Sequence, residues 1–226
     1  MKKYLTFCLS VLVSVIGYAQ QYTGMSGLIH IPSAEMDSAG DVRIGAHFLN
    51  KTFTPDVFNF EGKYHTVSHY LSITPFSWIE IGYTCTLQKG RKNVAPDGKI
   101  GFYFKDRYFS LKVRPLKEGK WYPAIAIGTN DPWGIINSED TFGDGKSLYF
   151  SNLYLAASKK IEIRKNNIGI HLAYRKWERT YNQKWNGLVG GIAFTPSFSS
   201  DLRLIGEYDG NGFNIGLNSL MSTKKN

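Results

Sequence analysis

From Val42 onward the chain alternates apolar and polar residues in short runs separated by turn-forming sequence. The sharpest run is Leu71–Leu87. Its second half places Ile79, Ile81, Tyr83, Cys85 and Leu87 on one face, with Glu80, Gly82, Thr84 and Thr86 on the other. Successive strand side chains point to opposite sides of a sheet, so this spacing predicts a strand with one apolar and one polar face. Thr74-Pro75-Phe76-Ser77 breaks the first half, because proline has no N–H to give to a ladder. The unit reads as a hairpin with a short turn.

The same unit recurs along the chain. Further strands are predicted at Val42–Leu49, Tyr64–Thr74, Trp78–Leu87 and Tyr108–Pro115, with alternation reaching upstream to Ile100. Then come Trp121–Gly128, Leu148–Ser158, Ile168–Trp177, Gly187–Phe194, Leu202–Asp209 and Phe213–Ser219. Leu148 and Phe150 fall on one face but Leu153 and Leu155 on the other, which predicts a bulge near Ser151. The connections alternate long and short almost throughout. Transmembrane barrels have short periplasmic turns and longer outer loops, so the expected fold is all-β, an antiparallel up-and-down transmembrane β-barrel of about ten strands (eight to twelve).

On that reading Ile79, Ile81, Tyr83, Leu111, Val113, Ile170 and Leu172 face lipid, and so does Cys85. Glu80, Lys112, Arg114, Arg175, Arg203 and Glu207 face inward, where charges must pair and leave little room for a pore. A soluble β-sandwich shows the same alternation. A secreted or periplasmic sandwich that binds acidic glycan therefore stands as the alternative.

Met1–Ala19 has the form of a cleaved export signal: Lys2 and Lys3, an apolar middle over Tyr4–Ile16, then Gly17-Tyr18-Ala19. Residues 20–41 follow as an N-terminal extended segment, 42–221 as the barrel and 222–226 as a polar tail. Cleavage removes Cys8 and leaves Cys85 alone, so no intramolecular disulfide can form. Cys8 lies inside the apolar run and makes a poor lipidation site.

The formal charge of +9 becomes +7 once Lys2 and Lys3 are gone. For an exported protein that favours acidic glycans or phosphorylated lipid headgroups over nucleic acid, and simple solvated lysines in loops and tail account for it equally well. An aromatic content of 15% with 23 glycines also suits an all-β envelope protein.

No catalytic set is legible, and no cofactor is expected. Asp144-Gly145-Lys146-Ser147 ends like a phosphate-binding loop, but position 140 is Asp where that pattern needs glycine. Asp131, Glu139, Asp140 and Asp144 lack EF-hand spacing. His65 and His69 share a strand face but lie about 13 Å apart, too far for one metal. His30 is alone in its segment, and a lone histidine reads as a residue that packs or faces water. His171, inward beside Arg175, is the one histidine that suits a barrel lipid hydrolase, with no partners nominated.

Six stretches in order resemble one family. They are Gly27-Leu-Ile-His-Ile-Pro-Ser-Ala34, Thr74-Pro-Phe-Ser-Trp-Ile-Glu-Ile-Gly-Tyr83, Asp106-Arg-Tyr-Phe-Ser-Leu-Lys-Val-Arg114, Trp121-Tyr-Pro-Ala-Ile-Ala-Ile-Gly128, Leu155-Ala-Ala-Ser-Lys159 and Glu207-Tyr-Asp-Gly210. They resemble the YjbH-like (DUF940-type) outer-membrane proteins linked to exopolysaccharide and capsule gene clusters. The resemblance implies a barrel in the cell outer membrane, with a structural or accessory role in exopolysaccharide production or export. Its implied partners are outer-membrane lipid and the exopolysaccharide or envelope proteins of that pathway. It carries over no catalytic residue.

Overall fold

The computed structural model describes residues 20–54, 64–92, 95, 97–132 and 149–219. Ten strands follow in chain order. They are β1 (Val42–Leu49), β2 (Thr66–Phe76), β3 (Ile79–Arg91), β4 (Ile100–Leu116) and β5 (Ala124–Asn130), then β6 (Asn152–Ile163), β7 (Asn166–Trp177), β8 (Gly187–Thr195), β9 (Leu202–Tyr208) and β10 (Phe213–Ser219). Each pairs antiparallel with its sequence neighbours in one sheet of order β1 to β10. This is a single meander, not the two facing sheets of a sandwich. Among the described residues no ladder joins β10 back to β1.

Registry gathers the apolar positions into a continuous band on the outer face. Ile81 lies opposite Ile73 and Leu111, Leu155 opposite Ile127 and Tyr174, and Leu204 opposite Phe194 and Leu217. Much of this band is bare: Leu111, Ile170, Leu172 and Ile192 are exposed, and Ile215 is 92% exposed. Ile79, Ile81, Tyr83 and Val113 belong to the same face and are partly shielded by their neighbours. Cys85 shares that face by register, between His69 and Arg107, yet it is only 5% exposed. Failure to label its thiol would therefore report burial and not lipid.

Several boundaries differ from the sequence expectation, each for a local reason. The expected loop Gln88–Lys99 is shorter, because β3 runs on to Arg91 and β4 begins at Ile100; Gln88 pairs with Phe104 and Gly90 with Gly101. A ladder needs only backbone groups, so it outlasts the apolar pattern. Tyr149-Phe150 forms a turn with Phe150 buried, and β6 starts after it at Asn152. The parity break at Ser151 is thus a strand start, not a bulge; Leu148 itself lies outside the described residues. Strand β5 begins at Ala124, leaving Trp121 outside the sheet and 86% exposed. The expected turn Ile161–Asn167 shrinks to Arg164-Lys165, both with positive φ (49° and 68°), the backbone of a tight two-residue hairpin. At Pro75 the β2–β3 register shifts between Ile73 and Phe76 before the Ser77-Trp78 turn.

The sheet curls around residues 20–35. Met25, Leu28, Ile31 and Ala34 are buried there, although they belong to no strand. The inner wall has two characters that match this filling. On β5 to β8 a small apolar patch, Ala124, Ala126, Ala156, Ala173, Val189 and Ala193, packs with Leu28, Ile31 and Ala34. On β2 to β4 the wall is polar, with Ser72, Thr84, Thr86, Asp106 and Ser110 buried. Inward glycines make room for the segment's side chains. A Cβ on Gly82 would meet Met25 Sδ at 2.7 Å, and one on Gly216 would meet Ile29 Cδ1 at 2.7 Å. At Gly191 it would meet Leu28 Cδ1 at 2.7 Å and the Gly206 carbonyl at 2.8 Å.

Gly191→Val is therefore expected to destabilise the fold by about 1–3 kcal/mol through overpacking. Gly206→Val, whose Cβ has nothing within 4 Å, should change little. Urea denaturation followed by tryptophan fluorescence measures both.

Candidate functional site

The interior contact between the curled sheet and residues 20–37 concentrates the buried charge of the molecule. Its first tie is at Ser26. The Glu80 carboxylate, fully buried on β3, accepts the Ser26 N–H at 2.7 Å. Lys112, opposite Glu80 in the ladder and equally buried, brings Nζ to 2.7 Å from the same carboxylate and donates to the Ser26 carbonyl at 2.8 Å. The Ser26 hydroxyl bonds to both side chains. Three residues before Ser26, the Thr23 carbonyl accepts from Thr84 Oγ1 at 2.6 Å.

A second tie holds the tip. Glu207 on β9 accepts the backbone N–H groups of Ile29, His30 and Ile31 at 3.0, 2.8 and 3.4 Å, and Asn214 Nδ2 at 3.0 Å. Arg175 on β7 spends its guanidinium on three carbonyls: His30 at 2.8 Å, Asp209 at 3.0 Å and Trp185 at 3.2 Å. A fully buried cation is tolerable here because each edge of its fork meets an acceptor. His30 Nδ1 lies 3.0 Å from Asp209 Oδ2, and its ring packs against Tyr22 and Trp185 with centroids 4.8 and 4.9 Å apart. Tyr22, Tyr108, Phe150, Trp177 and Trp185 close an aromatic layer over this end.

The third tie lies where the segment leaves the interior. Ser158 Oγ accepts the Ala34 N–H at 2.9 Å and bonds to His171 Nδ1 at 2.9 Å. Glu35 pairs with Arg203 at 2.7 Å and Lys160 at 3.4 Å, and Asp37 pairs with Arg43. Arg114 stands apart from these ties. It donates to the Ser77 carbonyl at 2.6 Å near the turn and is only partly shielded, so it is a rim residue and not part of the interior network.

Burial and the Arg175 charge push the His30 imidazole down to about 4, so it is neutral at pH 7. Burial alone would raise the Asp209 carboxyl; the hydrogen bonds from His30 and from the Asn211 and Gly212 N–H groups outweigh it and hold the group ionised. Burial also opposes ionisation of Glu35, but Arg203 overrules it and brings the carboxyl down to about 2.

His171 does meet a serine. That serine is buried, however, with its oxygen already engaged by Ala34, so the pair anchors a peptide and presents no free nucleophile. Among the described residues no group of three or more His, Cys, Asp or Glu side chains is placed to hold a metal. Glu139, Asp140 and Asp144, with the Asp144–Ser147 motif, lie outside the described residues; Asp131 is buried and its carbonyl accepts from Ser151. Ser26, Ser158, Asp209, Asn214 and Trp185 were not singled out from sequence. The signal available was Gly27–Ala34, an apolar run too irregular for a strand yet too apolar for a solvated loop.

A family model described as "Exopolysaccharide biosynthesis protein YbjH" matches residues 19–219, which covers the segment, its three ties and all ten strands. The chain belongs to the YjbH family of exopolysaccharide biosynthesis proteins. It is also 28% identical over 120 residues to a protein of Escherichia coli (strain K12) named "Uncharacterized lipoprotein YjbH". That match takes in 53% of this chain and 15% of the relative, so this YjbH-family chain corresponds to a small part of that longer protein. No solved structure matches.

Two outcomes test the site. Glu207→Leu leaves three backbone N–H groups unpaired and should cost about 3 kcal/mol or more, whereas Glu207→Gln keeps an acceptor and should cost less. Urea midpoints and protease cutting within residues 20–35 report both. The second test is pH. A histidine whose folded pKa is depressed contributes stability that is complete above about 6.5 and lost as pH falls toward 4. Asp37, raised to about 6 by burial, works in the opposite sense over that range. Between pH 7 and 5, His30→Gln should therefore lose less stability than the unmodified chain.

Proposed function

We propose that this YjbH-family chain is a small outer-membrane β-barrel that serves exopolysaccharide production or export as a structural or accessory component. The observation that carries the reading is the pairing of a bare apolar band across ten strands with an interior filled by the chain's own N-terminal segment. Water disfavours so much contiguous apolar surface, and hydrocarbon accepts it. No helix among the described residues is long and apolar enough to cross a membrane; on this reading the strands do so.

On this reading Ile79, Ile81, Tyr83, Leu111, Val113, Ile170 and Leu172 touch lipid, and the short turns Ser77-Trp78 and Arg164-Lys165 lie on the periplasmic side. An envelope location is supported by the relative's name as a lipoprotein. The polysaccharide context comes from the family. A filled interior favours an accessory role over a conduit for polymer, because residues 21–34 occupy the space that a chain of sugars would need.

Cell fractionation with gel electrophoresis of boiled and unboiled samples tests this. The expected result is sedimentation with outer membranes and a heat-dependent mobility shift. A soluble periplasmic protein without the shift would overturn it.

A further inference from the structure

One rim of the sheet carries a concentration of cations and aromatic rings that the interior does not use. The β4–β5 connection (117–123) and the β6–β7 hairpin turn (Arg164-Lys165) are neighbours, joined by Glu118. Its carboxylate accepts Lys159 Nζ at 2.9 Å and the Lys160 N–H at 2.8 Å. That engagement neutralises the acid of the connection. Lys117, Lys120, Arg164 and Lys165 stay exposed around it, with Glu162 as the exposed acid nearby. Trp121 is 86% exposed under Lys120 Nζ, 5.0 Å from its ring, and Tyr122 is 50% exposed beside it.

Two observations say what kind of surface this rim meets. The apolar outer stripe of β6 runs through Ile161 and Ile163, both exposed, right up to Arg164. Arg164 thus follows directly on the apolar stripe of β6, which Lys159, held by Glu118, interrupts on the same face four residues before Ile163. Arg164 and Lys165 also hold left-handed backbone, φ 49° and 68°, in a turn whose geometry favours Asn-Gly. Two long cations sit there at the expense of local backbone preference.

We infer that this rim is a docking surface for the headgroups of anionic phospholipid, with Trp121 and Tyr122 at the interface and Lys117, Lys120, Arg164 and Lys165 on the phosphates. The inference rests on the membrane reading and adds to it a lipid class and the leaflet on the short-turn side. A layer of negative headgroups is complementary in charge, and its planar extent suits cations spread along the edge of the band better than a single polymer chain does. Amphipathic rings and snorkelling lysines at the edge of an apolar band have the same physical origin.

Refolding the full chain into vesicles of phosphatidylcholine alone, or mixed with phosphatidylglycerol, tests this, with the heat-shifted gel band as readout. More folded protein is expected in the anionic vesicles, by roughly tenfold at low salt, with the preference shrinking as salt rises. Arg164→Asn with Lys165→Gly gives the turn its favoured residues and should keep or raise the urea midpoint. Combined with Lys117→Gln and Lys120→Gln, it should abolish most of the lipid preference. Equal yields in both vesicle types, or an unchanged preference in the fourfold variant, would overturn the inference while leaving the barrel standing. The same holds if detergent-solubilised protein binds a soluble anionic polysaccharide through these residues and ignores vesicle charge. Absence of a heat-shifted band in either vesicle type would instead overturn the barrel reading itself.

Discussion

Carboxylates buried on the inner face of a sheet need donors, and that need organises the molecule. Glu80 and Glu207 lie within the curl of the sheet, almost without solvent. Side chains of the wall supply part of the requirement through Lys112 and Asn214. Backbone N–H groups of Ser26, Ile29, His30 and Ile31 supply the rest. A non-helical peptide buried in an interior has the converse problem, since its own N–H and C=O groups are orphaned. The segment and the wall therefore satisfy each other, and Arg175 completes the exchange by taking the carbonyls of His30, Asp209 and Trp185. Neither partner is well solvated without the other, so the segment acts as part of the core.

The wall's two characters follow from the same exchange. Where the segment turns polar backbone outward, β3, β4, β7 and β9 present charge; where it turns Leu28, Ile31 and Ala34 outward, β5 to β8 present alanine and valine. An interior lined this way discriminates against a mobile polar cargo, because displacing the segment would expose apolar side chains and strand buried ions together. This is the physical basis for reading the protein as a filled structural element of its pathway.

Sequence carried the sheet further than the interior. Alternation identified all ten strands because one face is apolar and the other is not, and it put Glu80, Lys112, Arg175 and Glu207 on a common face. Lys112 could be recognised as inward but not as the partner of Glu80, since their adjacency depends on the β3–β4 register. Arg114 had the right parity and the wrong depth, because strand ends reach solvent on both faces. From sequence the segment is only an extended stretch ahead of the first strand. Its apolar run Gly27–Ala34 marks it as unlike a solvated loop, but without periodicity it does not say which wall it packs against. The contacts that define it join positions up to 178 residues apart, as Ile29 and Glu207 show.

The segment also bears on the proposed membrane location, because among the described residues no strand pairs with the outer edge of β1 or of β10. Unpaired strand edges are costly in hydrocarbon, so a membrane location requires β1 and β10 to find partners. An even number of meandering strands leaves those two edges antiparallel, and parity then matches Ile44, Ala46 and Phe48 with Phe213, Ile215 and Leu217 on the outer face. The segment touches both edges from within: Asp37 pairs with Arg43 on β1, and Ile29 fills the space over Gly216 on β10. A core element tied to both sides of the seam lowers the entropy lost on joining them, since the edges are already gathered around one axis. On the proposed barrel reading, the interaction that fills the interior is thus also the one best placed to bring β1 and β10 together.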